Sequence, residues 1–270
     1  MDFKASGIMT LTSDFGLADS FVGTMKGVML CINPALVFVD ISHQIPPQDI
    51  LEGSFSLQSA YSYFPPGTIH LAVVDPGVGG LRRPLLVVTR DYLFVGPDNG
   101  LFSFIFSDSS FQAAYELTAG KYFLEPAGAT FHGRDIFAPA AAWLSTGTPI
   151  SEMGRTIHDP VTLKIPEPKV IGTSKIQGEI IHVDHFGNLI SNIPVELYER
   201  LRAGWGNRSI RISILAQGIG KIVRYYGEGS EEEPFALFNS SGWMEIFWKG
   251  SNAAEKLGVR RGEKVHLYTV

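Results

Sequence analysis

Up to about residue 155 the apolar positions fall into short runs, "GIMTLTSD", "ALVFVDIS", "TIHLAVVD", "PLLVVTR" and "YLFVGPD". These alternate with the helically spaced segments "ADSFVGTMKGVMLCIN" and "PQDILEGSFSLQSAYSYF". The runs are too short for helices and apolar on both faces, which predicts strands of a central sheet covered by helices on each side. Two helix stops are visible, "INP" at 32–34 and "FPPG" at 64–67. Proline cannot continue a helix and pushes its predecessor out of the helical region. A third helix is expected in "IFAPAAAWLSTG", just after "FHGRD". The alternation defines an α/β fold class.

The texture changes across "HDPVTLKIPEPKVIGTSKIQG", which is broken by prolines and glycines and has little helical period, so a linker is placed near 160–175. Beyond it, "GEIIHVDHFGNLISNIP", "RSIRISIL", "KIVRYYGEG", "PFALFNSSGWMEIFWKGS" and "EKVHLYTV" read as short strands divided by Gly, Asn, Ser and Pro. Only "VELYERL" and "NAAEKLG" read as helix there. The expected organisation is an α/β domain over 1–162 with a central, mostly parallel sheet, followed by a smaller β-rich domain over 175–270.

Composition narrows the partners. With 270 residues, 45% of them apolar, the chain can bury a substantial core. Its 22 Lys plus Arg against 27 Asp plus Glu give a net charge of -5. With no basic excess to neutralise a phosphate backbone, nucleic acid is not an expected partner. No apolar stretch approaches the roughly 20 residues of a membrane span, so no membrane association is expected. "GIMTL" is too short for a secretory leader and lacks its cleavage site. The single cysteine, Cys31, excludes an intrachain disulfide and is expected to be a buried small side chain. These features fit a soluble protein of the reducing cytoplasm.

The stretch "HLAVVDPGVGG" at 70–80 ends a strand on an acid and a glycine cluster, the shape of a dinucleotide or S-adenosylmethionine turn. In those folds the glycines open a helix whose amides receive the ligand. Here Pro84 and "LLVV" follow, so the loop joins strand to strand and its glycines serve a tight turn. Three acids, Asp14, Asp75 and Asp184, fall where strands finish, the edge at which an α/β sheet gathers ligands. Each alone is also what a turn or cap would place there. Together they suit a polyol or an amine, since a carboxylate accepts both hydrogen bonds of a diol and pairs with an ammonium. His132 in "ATFHGRDIFAPAA" has an arginine and an acid beside it, whereas the other six histidines, His43 and His70 among them, read as structural or exposed. No HExxH, clustered Cys or His pair at ligand spacing supports a metal, and neither a GxSxG elbow nor a P-loop is present.

Six segments, "SDFGLADSFVGTMKG", "DISHQIPPQDILEGS", "FPPGTIHLAVVDPGVGG", "GPDNGLFS", "TFHGRDIFAPAAAWL" and "DHFGNLISNIP", run in order over nearly the whole chain. They resemble the adenosine-forming S-adenosyl-L-methionine (SAM) hydrolases, also called SAM hydroxide adenosyltransferases, relatives of the fluorinase and chlorinase. The resemblance implies an N-terminal α/β domain joined to a C-terminal β-barrel-like domain. It implies a catalytic set of Asp75, Arg82 and His132 around an attacking water, with Arg83 the neighbouring candidate for the arginine. No cofactor is implied, SAM being the substrate. Asp14 would hold the ribose diol. Asp19, Ser20, Asp184 and the "NSS" at 239–241, with Ser240 and Ser241, would hold the methionine amine and carboxylate; Phe186 and Asn188 would contact adenine. Halogenases of the family often carry arginine where this chain has Ser241. They also replace the strand-end Asp and the histidine, and the fluorinase adds an insertion after the loop and a halide-binding serine at the place of Gly133. The tight "VVTRDYLFVGP" and Gly133 resemble the hydrolases instead. Similar proteins are homotrimers with intersubunit active sites, which would bring Asp75 and Asn188 to one ligand from different chains.

The implied chemistry lacks only a nucleophile, because the sulfonium already leaves C5′ as a neutral thioether. Lowering the pKa of water from about 15.7 to about 7 would take about 12 kcal/mol. One arginine near 4 Å supplies about 4 kcal/mol at an effective dielectric of about 20. Free hydroxide is therefore not made in advance. Asp75 and His132 are expected to accept the proton as the C–O bond forms, worth about 10²–10⁴-fold, while Arg82 orients Asp75. Two alternatives stay open: a SAM-dependent methyltransferase, against which the missing helix after the glycines counts, and a non-catalytic SAM-binding or sensing protein.

Overall fold

The computed structural model describes residues 3–164 and 166–270. The chain divides after Leu163 into two compact units. In the first, β1 (Ile8–Ser13), β2 (Val37–Ser42), β3 (Ile69–Val73), β4 (Pro84–Thr89), β5 (Leu93–Pro97), β6 (Phe111–Leu117) and β7 (Gly154–Ile157) form one sheet. Their order is β2-β1-β3-β5-β4-β6-β7. β2, β1, β3 and β5 pair in parallel, and the pairs β5/β4, β4/β6 and β6/β7 are antiparallel. All strands but β4 and β7 therefore run the same way. β3, β4 and β5 are buried almost throughout, which is why their sequences are continuous aliphatic runs rather than alternating ones.

Helices α1 (Phe21–Ile32), α2 (Ile50–Gln58), α3 (Ser103–Phe106) and α4 (Ala138–Ser145) cover the sheet. α1 turns Val22, Met25 and Met29 inward, the spacing of one helical face. Asp49 starts α2, its carboxylate accepting the Glu52 amide at 3.0 Å, which satisfies an orphan donor and suits the helix dipole. α4 buries Ala138, Ala140, Ala141 and Ala142, and these small side chains let it lie close to α1. A π-helical turn, Gly133–Phe137, leads into α4; such turns recur at functional sites. The two faces of the sheet have separate cores. One joins Met9, Leu71 and Val95 to Met25, Met29 and Ala141; the other joins Ala72, Val87 and Phe94 to Leu57 and Ile105.

Two local expectations are corrected here. β2 is an edge strand with Val37 and Val39 exposed, so it is not covered on both faces. Cys31 is exposed rather than buried, because at about 100° per residue it points away from the Val22, Met25 and Met29 stripe.

The second unit holds β8 (Lys169–Ile171), β9 (Lys175–Val183), β10 (Leu189–Pro194), β11 (Ile210–Ile214), β12 (Gln217–Ile219), β13 (Phe235–Phe238), β14 (Trp243–Phe247) and β15 (Lys264–Thr269). Two helices, α5 (Val195–Trp205) and α6 (Ala253–Leu257), accompany them. The strands pair antiparallel in the order β12-β11-β15-β9-β10-β14-β13, with β8 also beside β9. Just after β12 the chain returns to β13, where Ile222 bridges Ala236 and the Gly220 amide donates to the Pro234 carbonyl at 2.8 Å. The two ends of the sheet are thereby joined, and the sheet is nearly a closed barrel. Ile180, Leu189, Ile214, Met244 and Leu267 belong to its core. "KIVRYYGEG" is not a strand beyond that single bridge. The Glu228 carboxylate takes the Arg224 amide at 2.9 Å and draws the segment into a 3-10 turn at Tyr226–Glu228. No helix among the described residues is long and apolar enough to cross a membrane.

Candidate active site

Strand register decides what meets at the carboxyl edge of the first sheet. β1 and β3 pair with Ser13 opposite Val73, so Asp14 and Asp75 stand just beyond the same ends of neighbouring strands, whose axes are about 4.8 Å apart. From Asp75 the chain turns, Val78 N–H donating to the Asp75 carbonyl at 3.2 Å and Gly80 N–H to that of Gly77 at 3.0 Å. It then enters β4 with no helix between. Gly79 has φ +76°, and a Cβ on it would lie 2.2 Å from the Ala129 carbonyl oxygen. The glycines thus bring backbone against backbone. They seat the 75–82 loop on the segment that ends at His132.

Arg82 is the hub of the site. Its Nε donates to the two Asp75 oxygens at 2.9 and 3.0 Å, and its Nη2 donates to Asp75 Oδ2 and, at 2.7 Å, to His132 Nδ1. The guanidinium lies 5.0 Å from the ring centre of Phe137, in the π-helical turn. The side chains of Arg82 and Asp75 are only 9% and 5% exposed. Arg83 turns the other way, to Asp98 at 2.7 Å and Asp159 at 2.8 Å, as successive residues of extended chain do. The arginine facing Asp75 and His132 is therefore Arg82.

A guanidinium keeps all its protons and cannot accept, so His132 Nδ1 is the acceptor and the ring proton sits on Nε2. Burial first, then the Arg82 charge, hold the His132 pKa below its ordinary value against the carboxylates of Asp75 and Asp135. The imidazole is neutral near pH 7, and its acceptor nitrogen is already taken. In this arrangement His132 turns its acceptor nitrogen to Arg82 and presents Nε2–H, while the Asp75 carboxylate accepts from Arg82 through both oxygens. Asp135, itself buried, accepts from Arg134 and from the Gly128 amide, which fastens the loop preceding His132.

Around this cluster the first unit places its other candidates. Asp14 Oδ2 accepts the Gln48 amide at 2.8 Å. Asp19 and Ser20 stand exposed at the start of α1, and the Ser20 hydroxyl makes no capping bond. Phe15, Phe21 and Phe131, with ring centres 5.2 to 5.7 Å apart, join the three segments that carry Asp14, Ser20 and His132.

The second unit carries the remaining candidates. Asp184 Oδ1 accepts the amides of Phe186 at 2.9 Å and Asn188 at 2.8 Å, and its Oδ2 accepts Asn188 Nδ2 at 2.9 Å. That tight turn leaves Phe186 74% exposed, its ring edge-on to that of His185. Ser240 and Ser241 lie on an exposed turn whose Asn239 Oδ1 accepts the amides of Ser241 and Trp243 at 3.0 and 3.1 Å. Asn239 Nδ2 donates in turn to Glu245, which also accepts the Tyr226 hydroxyl at 2.7 Å. Burial pushes the Glu245 carboxyl above its usual range, against those two hydrogen bonds. Phe137, Asp135, Tyr226 and Glu245 were not singled out from sequence; only the "HGRD" context pointed toward Asp135 and the turn after it.

The fold and the site together define a two-domain protein, α/β followed by a near-closed β-barrel, with a largely buried carboxylate and guanidinium and a half-buried imidazole at the sheet edge. Residues 9–154 match the model of the SAM hydroxide adenosyltransferase N-terminal domain, and 178–266 that of the corresponding C-terminal domain. The chain belongs to the SAM hydroxide adenosyltransferase family. It is 35% identical to a protein of Salinispora tropica named (R)-S-adenosyl-L-methionine hydrolase, over 96% of this chain and 97% of the relative. A Thermus thermophilus protein of the same name is 35% identical over 94% and 97%. A fluorinase of an Actinoplanes species is 24% identical over 97% of both chains. The crystal structure of a conserved protein from Thermotoga maritima superposes with a TM-score of 0.88 at 32% identity, covering 97% of this chain and 99% of the other.

Proposed function

We propose that the protein hydrolyses SAM at C5′, giving adenosine and L-methionine. The observation that carries this reading is the Asp75–Arg82–His132 cluster one strand from Asp14, in a chain whose relatives are named for this hydrolysis. The water oxygen forms a bond to C5′ as the C5′–S bond breaks. That bond's electron pair stays on sulfur, which leaves as the neutral thioether of methionine, and the water proton passes to Asp75. His132 Nε2–H donates to the same water and fixes its orientation. Arg82 holds base and donor together through its hydrogen bonds to both, and the Asp75 charge is neutralised by the water proton as the positive charge is lost from sulfur. Alignment of water, C5′ and sulfur supplies about 7–11 kcal/mol of the barrier lowering.

In this reading residues 1–162 carry the catalytic groups together with Asp14 for the ribose diol and Asp19 and Ser20 for the amino acid end. Residues 175–270 carry Asp184, Ser240 and Ser241 for the amine and carboxylate, and Phe186 and Asn188 for adenine. The active form is a cytoplasmic homotrimer with sites shared between subunits, following the resemblance of the motifs. The names of the relatives specify the (R)-sulfonium epimer, and that epimer is the expected substrate.

Incubation with SAM in ¹⁸O-water tests the reaction. Label in the adenosine 5′-hydroxyl is expected. S-adenosylhomocysteine would mean methyl transfer, and intact SAM recovered from a tight complex would mean sensing. The loop has its own test. Gly79→Ala is expected to lose roughly 1–2 kcal/mol to the left-handed backbone alone and, by lifting the loop off Ala129, about a hundredfold in turnover. A thermal melt and a steady-state assay check both numbers; a stable, fully active variant would contradict the role given to that glycine.

A further inference from the structure

Ser13, His43 and Asp40 form a line of contacts beside the candidate site. Ser13 closes β1, Asp40 lies in β2, and His43 follows β2 by one residue. Ser13 Oγ is 2.7 Å from His43 Nδ1, His43 Nε2 is 3.2 Å from Asp40 Oδ1 in an oblique approach, and Asp40 Oδ2 accepts Lys26 Nζ at 2.7 Å. The composition is that of a nucleophile, its base and the base's orienting acid. The surroundings are not. Ser13 is 2% exposed, within the sheet, where no electrophile can approach its oxygen.

What the line touches assigns it a different task. The Asp40 carboxylate beside Nε2 favours the ring proton there, which leaves Nδ1 to accept the Ser13 hydroxyl hydrogen. With that hydrogen directed away, Ser13 Oγ accepts the Phe15 amide at 3.3 Å. The His43 carbonyl accepts the Gly16 amide at 2.8 Å. Five residues on, the Gln48 amide reaches Asp14 Oδ2 at 2.8 Å, with Gln48 held at φ +66°, where a side chain is disfavoured. The turn from Ser13 to Gly16, with Asp14 inside it, is thus tied to the segment 43–48 at Ser13, Asp14 and Gly16.

We propose that His43 is a positioning residue that, through Ser13 and its own carbonyl, fixes the turn aiming Asp14 at the ribose diol. The proposal rests on the reading of Asp14 as the diol ligand. The neighbouring strand supplies the aim, and the Ser13–His43 contact transmits it.

Binding of adenosine and of 2′,3′-dideoxyadenosine to the full chain, measured by calorimetry, tests the proposal, because only adenosine carries the diol. Ser13→Ala and His43→Gln, the latter keeping an amide near Asp40 but not at Ser13, are expected to weaken adenosine about five- to tenfold, the worth of one hydrogen bond. Dideoxyadenosine binding should not change. His43→Asn, which keeps an acceptor at the Nδ1 position, should stay within about threefold of the unmodified protein for both nucleosides. Equal losses for the two nucleosides, no loss in Ser13→Ala and His43→Gln, or an Asn variant as damaged as the Gln variant would each overturn the role of His43. Asp14→Ala separates the two readings. If it leaves the ratio of the two affinities unchanged, the diol assignment falls and this proposal with it. If it abolishes the ratio while the His43 and Ser13 variants preserve it, only the positioning role falls.

Discussion

Replacing Asp75 by asparagine is expected to lower kcat for SAM hydrolysis by roughly 10²–10⁴-fold, with KM within about threefold of the original. Asparagine keeps the size and planar shape of aspartate, and its remaining oxygen can still accept from Arg82 and hold the loop. It cannot take a proton, however, and its NH₂ would confront the Arg82 donors that now converge on both carboxylate oxygens. In the proposed mechanism His132 does not substitute as base, because its Nδ1 accepts from Arg82. The effect is therefore placed on the chemical step, and single-turnover and steady-state kinetics read it directly. A loss confined to KM would transfer Asp75 to substrate binding.

The second large effect concerns stability in acid. His70, in β3, is fully buried among Tyr61, Phe64, Tyr92 and Phe94, with Nδ1 against Thr10 Oγ1 at 2.8 Å. Burial lowers its pKa from 6.5 to about 3, because the charged ring would lose its hydration with nothing to replace it. The unfolded chain thus binds a proton that the folded chain refuses between those two values. Stability owed to this residue is complete above pH 6.5, is lost as pH falls toward about 3, and changes no further below that. The total is about 5 kcal/mol, of which about 2 kcal/mol is gone at pH 5. Denaturant unfolding at pH 7 and pH 5 should show the original protein losing about 2 kcal/mol more than His70→Phe over that interval. Parallel losses in the two proteins would remove His70 as the cause.

The strands that sequence reveals plainly are those buried on both faces, β3, β4 and β5, whose aliphatic runs need no knowledge of their partners. β6, "FQAAYEL", is half-covered and has small residues at its centre, so its pairing with β4 is a tertiary fact. β8, with three exposed residues, has no apolar signature of its own. The candidate site divides along the same line. Asp75 and His132 stand out because each sits in a distinctive local context. The choice between Arg82 and Arg83 depends on which way the chain faces as it enters β4. The Ser13–His43 contact depends on the register of β1 against β2, and the donor role of His132 depends on one hydrogen bond. None of these is encoded within a window of neighbouring residues.

The opposed directions of Arg82 and Arg83 make the link to β4 sensitive to parity. One residue added between Arg83 and Pro84 would turn the chain over by half a pleat and exchange the two guanidiniums, so that Asp75 and Asp98 each lost its partner at once. Residues added ahead of Arg82, where Val78 and Leu81 are exposed, would leave that facing untouched. A change in loop length that preserves both ion pairs is therefore expected upstream of the arginine pair rather than in the short join between Arg83 and Pro84.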